Sequence, residues 1–273
     1  MENRKRSGVG GFKRPQNGDQ PKKFYKPVVR PNKEDFVFGI QSVTETLRSE
    51  KEIDKLLINK EFGASDIEKI AKERGVPIQR VPLEKLNRVT GKNHQGVIAF
   101  VSSVNFSVLS NIVAETFEKG EVPLVLILDR ITDVRNFGAI SRTAECSGVH
   151  ALVLPARGSA QINGDAMKTS SGALNYIPVC RENDLYQTIE YLKASGFQIV
   201  ACTEKAEKFL YGPDYTVPTA IIMGSEEDGI SESILSICDQ KVKIPMNGKV
   251  ESLNVSVATG VILYEVIRQR ADF

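Results

Sequence analysis

Three short segments of this 273-residue chain carry side chains able to do chemistry, each placed after an apolar run. In Asn136-Phe137-Gly138-Ala139-Ile140-Ser141-Arg142 an amide and a guanidinium stand six residues apart, downstream of Leu124–Leu128. A guanidinium, with a pKa above ~12, is a poor general base at neutral pH and a good phosphate binder. Gly224-Ser225-Glu226-Glu227-Asp228-Gly229 follows Ala220–Met223 and offers a glycine for close backbone approach, with a carboxylate two residues on. Ile244–Tyr264 sets a polar loop containing Asn247-Gly248, Glu251, Ser252 and Asn254 against an apolar helix, so that something polar can bind on a rigid base. Each group also has an ordinary reading. Arg142 suits the surface of an amphipathic helix, Asp228 suits the cap of a helix from Ser231, and Ser252 and Asn254 are good helix-start residues.

The elements that must position these groups alternate in the manner of a largely parallel sheet. Strands are predicted at Leu124–Leu128, Ala151–Leu154, Tyr176–Val179, Gln198–Cys202, Ala220–Met223 and Lys241–Ile244. Helices are predicted at Ala139–Ser147, Asp165–Ser170, Leu185–Ser195, Glu232–Cys238 and Val255–Arg270. The pattern is α/β and Rossmann-like, yet no GxGxxG follows the first strand, which disfavours a nucleotide-dependent oxidoreductase. Phe36–Val101 reads as a separate small α/β module. In it, His94 in Asn93-His94-Gln95-Gly96 suits either RNA contact or local loop bonding. Residues 104–121 read as a polar linker with one short helix, Leu109–Phe117, allowing the two domains to move.

In order and spacing, the three segments resemble the three motifs of the SpoU family, also called TrmH, of RNA ribose 2'-O-methyltransferases in the SPOUT class. FGIQSVTETL and NHQGVIA in the N-terminal module are similar to the family's small RNA-binding domain. The resemblance implies a deep trefoil knot over Gly224–Glu265, S-adenosylmethionine as cofactor, and a homodimer with the active site near its interface. It implies catalytic roles for Asn136, Arg142, Glu226, Ser252 and Asn254. It places the cofactor against Gly224, Ile244 and Leu253, with Met246 able to pack on the adenine. The departure from the family pattern is Glu227, where glycine is frequent. The subgroup most resembled modifies a guanosine of 23S ribosomal RNA. A tRNA enzyme and a non-catalytic RNA-binding or ribosome-assembly factor remain the alternatives.

Composition agrees with a soluble, cytoplasmic protein of two domains, predicted at 35–103 and 122–273, with no metal site and no membrane span. Met1–Lys33 holds ten Lys and Arg against Glu2 and Asp19, so this tail carries +8 while the rest carries −6. Residues 1–34 lack the aliphatic surface to offset ordering entropy and are predicted to be a disordered basic arm for RNA phosphates. The four cysteines, Cys146, Cys180, Cys202 and Cys238, have no CxxC spacing and are predicted to be buried reduced thiols.

Overall fold

The computed structural model describes residues 36–250 and 252–271. The predicted basic arm at 1–34 and the side chain of Glu251 lie outside them.

The first module runs β1 (Phe36–Phe38), α1 (Ile40–Arg48), β2 (Ile53–Asn59), α2 (Ser65–Glu73), β3 (Ile78–Val81), α3 (Leu83–Val89) and β4 (Val97–Val101). Its sheet has the order β1-β4-β2-β3, antiparallel except between β2 and β3. Val43, Leu47, Ile67 and Ala71 of α1 and α2 bury against one face, and Leu86 of α3 packs with Phe100 on the other. The His94 imidazole is 6% exposed and bonded on both nitrogens. Nδ1 accepts from Gly96 N at 3.1 Å and Nε2 faces Asn87 Oδ1 at 2.9 Å, so this histidine ties down its own loop.

The remainder runs β5 (Phe106–Ser107), α4 (Leu109–Glu118), β6 (Leu124–Asp129), α5 (Val134–Cys146), β7 (Ala151–Pro155), α6 (Gly164–Thr169), β8 (Val179–Glu182) and α7 (Leu185–Ala194). It continues with β9 (Gln198–Cys202), β10 (Lys208–Phe209), β11 (Thr219–Gly224), α8 (Glu232–Leu235), β12 (Gln240–Lys243) and α9 (Val255–Arg270). Eight parallel strands form one sheet, ordered β10-β12-β9-β11-β6-β7-β8-β5. Side-chain alternation divides β6 between two cores. Leu124, Leu126 and Leu128 meet α5, α6 and α9, whereas Val125 and Ile127 meet α4, α7 and α8. Burial on both faces is why β6 reads LVLILD without a polar residue until its last position.

Several expectations need correction. The stretch read as a mobile linker adds β5 to the edge of the large sheet, and Leu109 and Val113 of α4 are buried in its core. The predicted strand Tyr176–Val179 begins only at Val179; Ala173–Asn175 is a 3-10 turn and Tyr176 is 79% exposed. Pro178 has no N–H for a ladder and restrains the residue before it, so pairing starts after it. Helix α5 begins five residues earlier than predicted, because the Asp133 side chain caps it by accepting from Asn136 N at 2.8 Å. Cys146 is exposed, not buried, since it lies on the solvent side of the last turn of α5.

Candidate functional site

Strand order reverses around β6 and β11, which are adjacent although β7, β8, β9 and β10 lie between them in the chain. In open α/β sheets the crevice at such a switch point, beyond the carboxyl ends of the strands, is the usual ligand site. Here it receives the segment after β6 with the first turn of α5, the Gly224–Ser231 loop after β11, and the loop from β12 to α9.

These segments bring three of the predicted residues together. Asn136 Nδ2 donates to Glu226 Oε1 at 3.2 Å, Asn254 Nδ2 donates to the same oxygen at 2.6 Å, and Val255 N approaches it at 3.4 Å. Asn254 Nδ2 also lies 3.1 Å from Asn136 Oδ1. One carboxylate oxygen thus fixes the rotamers of two amides from different helices, and charge assistance makes such bonds stronger than neutral ones. Asn254 is in addition the N-cap of α9, its Oδ1 accepting from Ser256 N at 3.0 Å. Its helix-start role and its place in the cluster are therefore compatible.

The loop holding Glu226 is pinned at several points. Ser225 and Gly229 exchange backbone hydrogen bonds of 3.2 and 3.0 Å. Asp129, only 4% exposed at the end of β6, accepts from Ser231 N at 2.8 Å. Arg130 donates to Gly229 O at 3.1 Å and pairs with Asp129 and Asp228 at 3.2 and 3.3 Å. Asp228 is thus an ion-pair partner, and Ser231 itself occupies the N-cap of α8. Arg130 sits in the left-handed region at φ 59°, where a non-glycine residue is uncommon and is held by its surroundings. Nothing in the sequence pattern signalled Arg130; its left-handed backbone is visible only in three dimensions. Gly224 has a direct steric cause, since a Cβ there would overlap Gly229 and Ile230 backbone atoms.

Two cavities open on either side of Glu226. The larger, 660 Å³, is lined by Gly224, Ile244, Met246 and Leu253, the four predicted cofactor contacts, and by Glu226, Ser252 and Asn254. Cys202, Thr203, Glu204, Phe209 and Lys243 also line it and were not foreseen. Phe209 belongs to a two-residue strand too short to carry a periodic signal, and it lies beneath the Lys243 ammonium at 5.6 Å. Burial pushes the Cys202 thiol up to about 12, so it stays protonated and is no nucleophile. The smaller cavity, 340 Å³, is lined by Arg130, Thr132, Asp133, Asn136 and Asp228. Ser225, Glu226 and Val255 line both cavities and so form the wall between them.

The structure does not bring Arg142 into this cluster. It lies exposed on α5, six residues beyond Asn136, and its guanidinium makes no hydrogen bond or ion pair among the described residues. Ser252 is exposed at the rim of the larger cavity. No group of three or more potential metal ligands occurs among the described residues.

A parallel α/β sheet with a built polar cluster and a large cavity at its switch point is a ligand-binding architecture, and comparison with known proteins gives the family. Residues 123–264 match the SpoU rRNA Methylase family, and residues 36–107 match the domain described as RNA 2'-O ribose methyltransferase substrate binding. The TrmH-family protein YacO of Bacillus subtilis (strain 168) is 38% identical over 86% of this chain and 96% of its own length. The A. aeolicus TrmH/SpoU tRNA modifying enzyme is 37% identical, with a TM-score of 0.51 over 60% of this chain and 85% of that one. The SpoU methyltransferase AviRb from Streptomyces viridochromogenes, solved with AdoMet, shares the fold at a TM-score of 0.56 and 24% identity, over 86% of this chain and 90% of that one. The chain belongs to the SpoU/TrmH family and is an S-adenosylmethionine-dependent RNA 2'-O-ribose methyltransferase.

Proposed function

We propose that this enzyme methylates the ribose 2'-hydroxyl of a guanosine in 23S ribosomal RNA. The observation that carries the catalytic part is the Asn136–Glu226–Asn254 cluster standing between two cavities. In this reading the larger cavity holds the cofactor through Gly224, Ile244, Met246 and Leu253, and the smaller receives the target nucleoside. S-adenosylmethionine supplies an electrophilic methyl on a sulfonium, so the work left to the chain is alignment and proton management. Glu226 orients Asn136 and Asn254 toward the ribose, and Ser252 lies at the cavity rim to bond the incoming hydroxyl or cofactor. Arg142 grips the RNA phosphate beside the target, a role that suits an exposed guanidinium better than proton abstraction.

The remaining assignments belong to the same reading. The chain threads a trefoil knot over Gly224–Glu265, an idea supported by its return from β12, three strands from β6, to pack α9 on α5. Val257 and Tyr264 are 51% and 55% exposed on α9, an apolar face suited to a homodimer that brings Arg142 near a second active site. Residues 35–103 hold the RNA, the net positive charge of 1–34 adds affinity for its phosphates, and 122–273 carry catalysis. No described helix is long and apolar enough to cross a membrane, in keeping with action in the cytoplasm.

The test is transfer of labelled methyl from S-adenosylmethionine to large-subunit ribosomal RNA, with Arg142→Ala alongside and the product mapped for alkali-resistant ribose. Arg142-dependent labelling at one guanosine is expected. Labelling of transfer RNA alone would move the target, and cofactor binding with no RNA acceptor would favour an assembly factor.

A further inference from the structure

The connection between the two modules is short and bonded along its length. Only Ser102, Ser103, Val104 and Asn105 separate β4 from β5. Ser102 N donates to Glu52 O at 2.9 Å, Ser103 N crosses to Ile162 O in the large domain at 2.9 Å, and Val104 N bonds Ser102 Oγ at 3.2 Å. Val104 and Phe106 then pack into the core of the large sheet. One side chain reaches back across this junction. Arg181, on β8, sends Nη1 to Ile53 O at 2.8 Å and Asp54 O at 3.0 Å, both at the start of β2. Its guanidinium lies over Phe106 with the carbon 4.1 Å from the ring centroid, so the ring of the connecting strand holds it in place. Asp54 is 9% exposed beneath it, and burial pushes its carboxyl above the ordinary range, a shift that Lys55 and then Arg181 only partly offset.

We propose that Arg181 is a positioning residue that locks the RNA-holding module to the catalytic sheet as one rigid body, so that the protein sets the distance between RNA grip and methyl-transfer site. This rests on the reading above that residues 35–103 hold the substrate RNA. Arg181 lies on β8, next to the edge strand β5, whereas the larger cavity is built around β9, β11 and β12. Its loss therefore separates RNA positioning from cofactor binding. A loose module lowers the population of correctly placed ribose, and misplacement of about 1 Å can cost up to ~100-fold in rate.

The experiment compares the full-length protein with Arg181→Ala and with Arg181→Lys, which keeps the charge but loses the two-carbonyl reach and the guanidinium contact with the Phe106 ring. For Arg181→Ala, kcat/KM on ribosomal RNA is expected to fall about 10-fold or more, with the S-adenosylmethionine Kd within about 2-fold of the parent. Amide exchange at Ser103 should quicken while β6 and β11 stay protected. Arg181→Lys should fall between. Unchanged RNA kinetics with unchanged Ser103 exchange overturns the proposal, as does parallel loss of cofactor affinity and thermal midpoint, which marks a general structural role. If the parent methylates no RNA, the functional reading falls instead, and the exchange at Ser103 still decides whether Arg181 locks the modules.

Discussion

Two loops wall the larger cavity, and they are built on opposite plans. Gly224–Ser231 is held by its own Ser225–Gly229 bridge, by Asp129 at one end and by Arg130 across its middle. Residues 245–250 make no backbone hydrogen bonds among the described residues, and Met246 and Val250 stand 38% and 72% exposed. The first loop presents Glu226 in a finished geometry, as electrostatic preorganisation requires. The second has the properties of a segment that closes on a ligand and gains its order from it.

Glycine substitution breaks the comparison most sharply. A Cβ at Gly224 meets fixed backbone of Gly229 and Ile230, while one at Gly248 has its nearest neighbour, Val250 N, at 4.0 Å. Gly224→Ala should raise the cofactor Kd by more than about 100-fold by isothermal titration calorimetry, since the pinned loop cannot yield to overpacking. Gly248→Ala should leave it within about 3-fold, because the open loop has room. Equal tolerance at both positions would remove the distinction.

Next in size is Glu226→Ala. It leaves two amides and Val255 N without their common charged acceptor, a loss of about 2–3 kcal/mol in the reacting complex. That corresponds to roughly 30–150-fold in kcat. The thermal midpoint should hardly move, because the Glu226 and Asn254 side chains are exposed and Asn136 is only half-buried. Arg130→Gly should follow with a fall of about 10-fold in kcat: it removes the clamp on Gly229 O and eases the left-handed backbone at the same time. By contrast Asp228→Ala, which deletes only the exposed ion pair, should alter stability by under about 0.5 kcal/mol.

The same contrast explains what the sequence made legible. The strands of the large sheet were readable because full burial on both faces writes uninterrupted apolar runs such as LVLILD. Asn136, Glu226 and Asn254 were placed by motif, each after a predicted strand or before a predicted helix. Their convergence on one oxygen depends on β11 pairing with β6 and on α9 returning to α5, long-range contacts with no local signature. Arg130, Phe209 and Arg181 were missed for the same reason: a left-handed arginine, a two-residue strand and a guanidinium seeking distant carbonyls have no periodicity. Residues 104–121 were read as a linker on their polarity, but Leu109 and Val113 suffice to seat α4.

The smallest predicted effect concerns the base on which the open loop stands. Helix α9 carries that loop at its N-terminus, and near its C-terminus Glu265 accepts from Arg268 Nε and Gln269 Nε2, both at 2.8 Å. The hydrogen bond from Arg268, with the one from Gln269, holds the Glu265 carboxyl below its ordinary range despite opposing desolvation. A carboxylate with a depressed folded-state pKa adds stability that is fully present above the unfolded value and disappears as pH falls through the folded one. The parent should therefore lose thermal stability on acidification below about pH 4.3, the ordinary glutamate value, and Glu265→Gln should flatten that part of the profile while leaving the cofactor Kd at neutral pH unchanged. If Glu265→Gln weakens cofactor binding as well, the helix does not act as a rigid base, and the open loop draws its shape from α9 and not from its ligand.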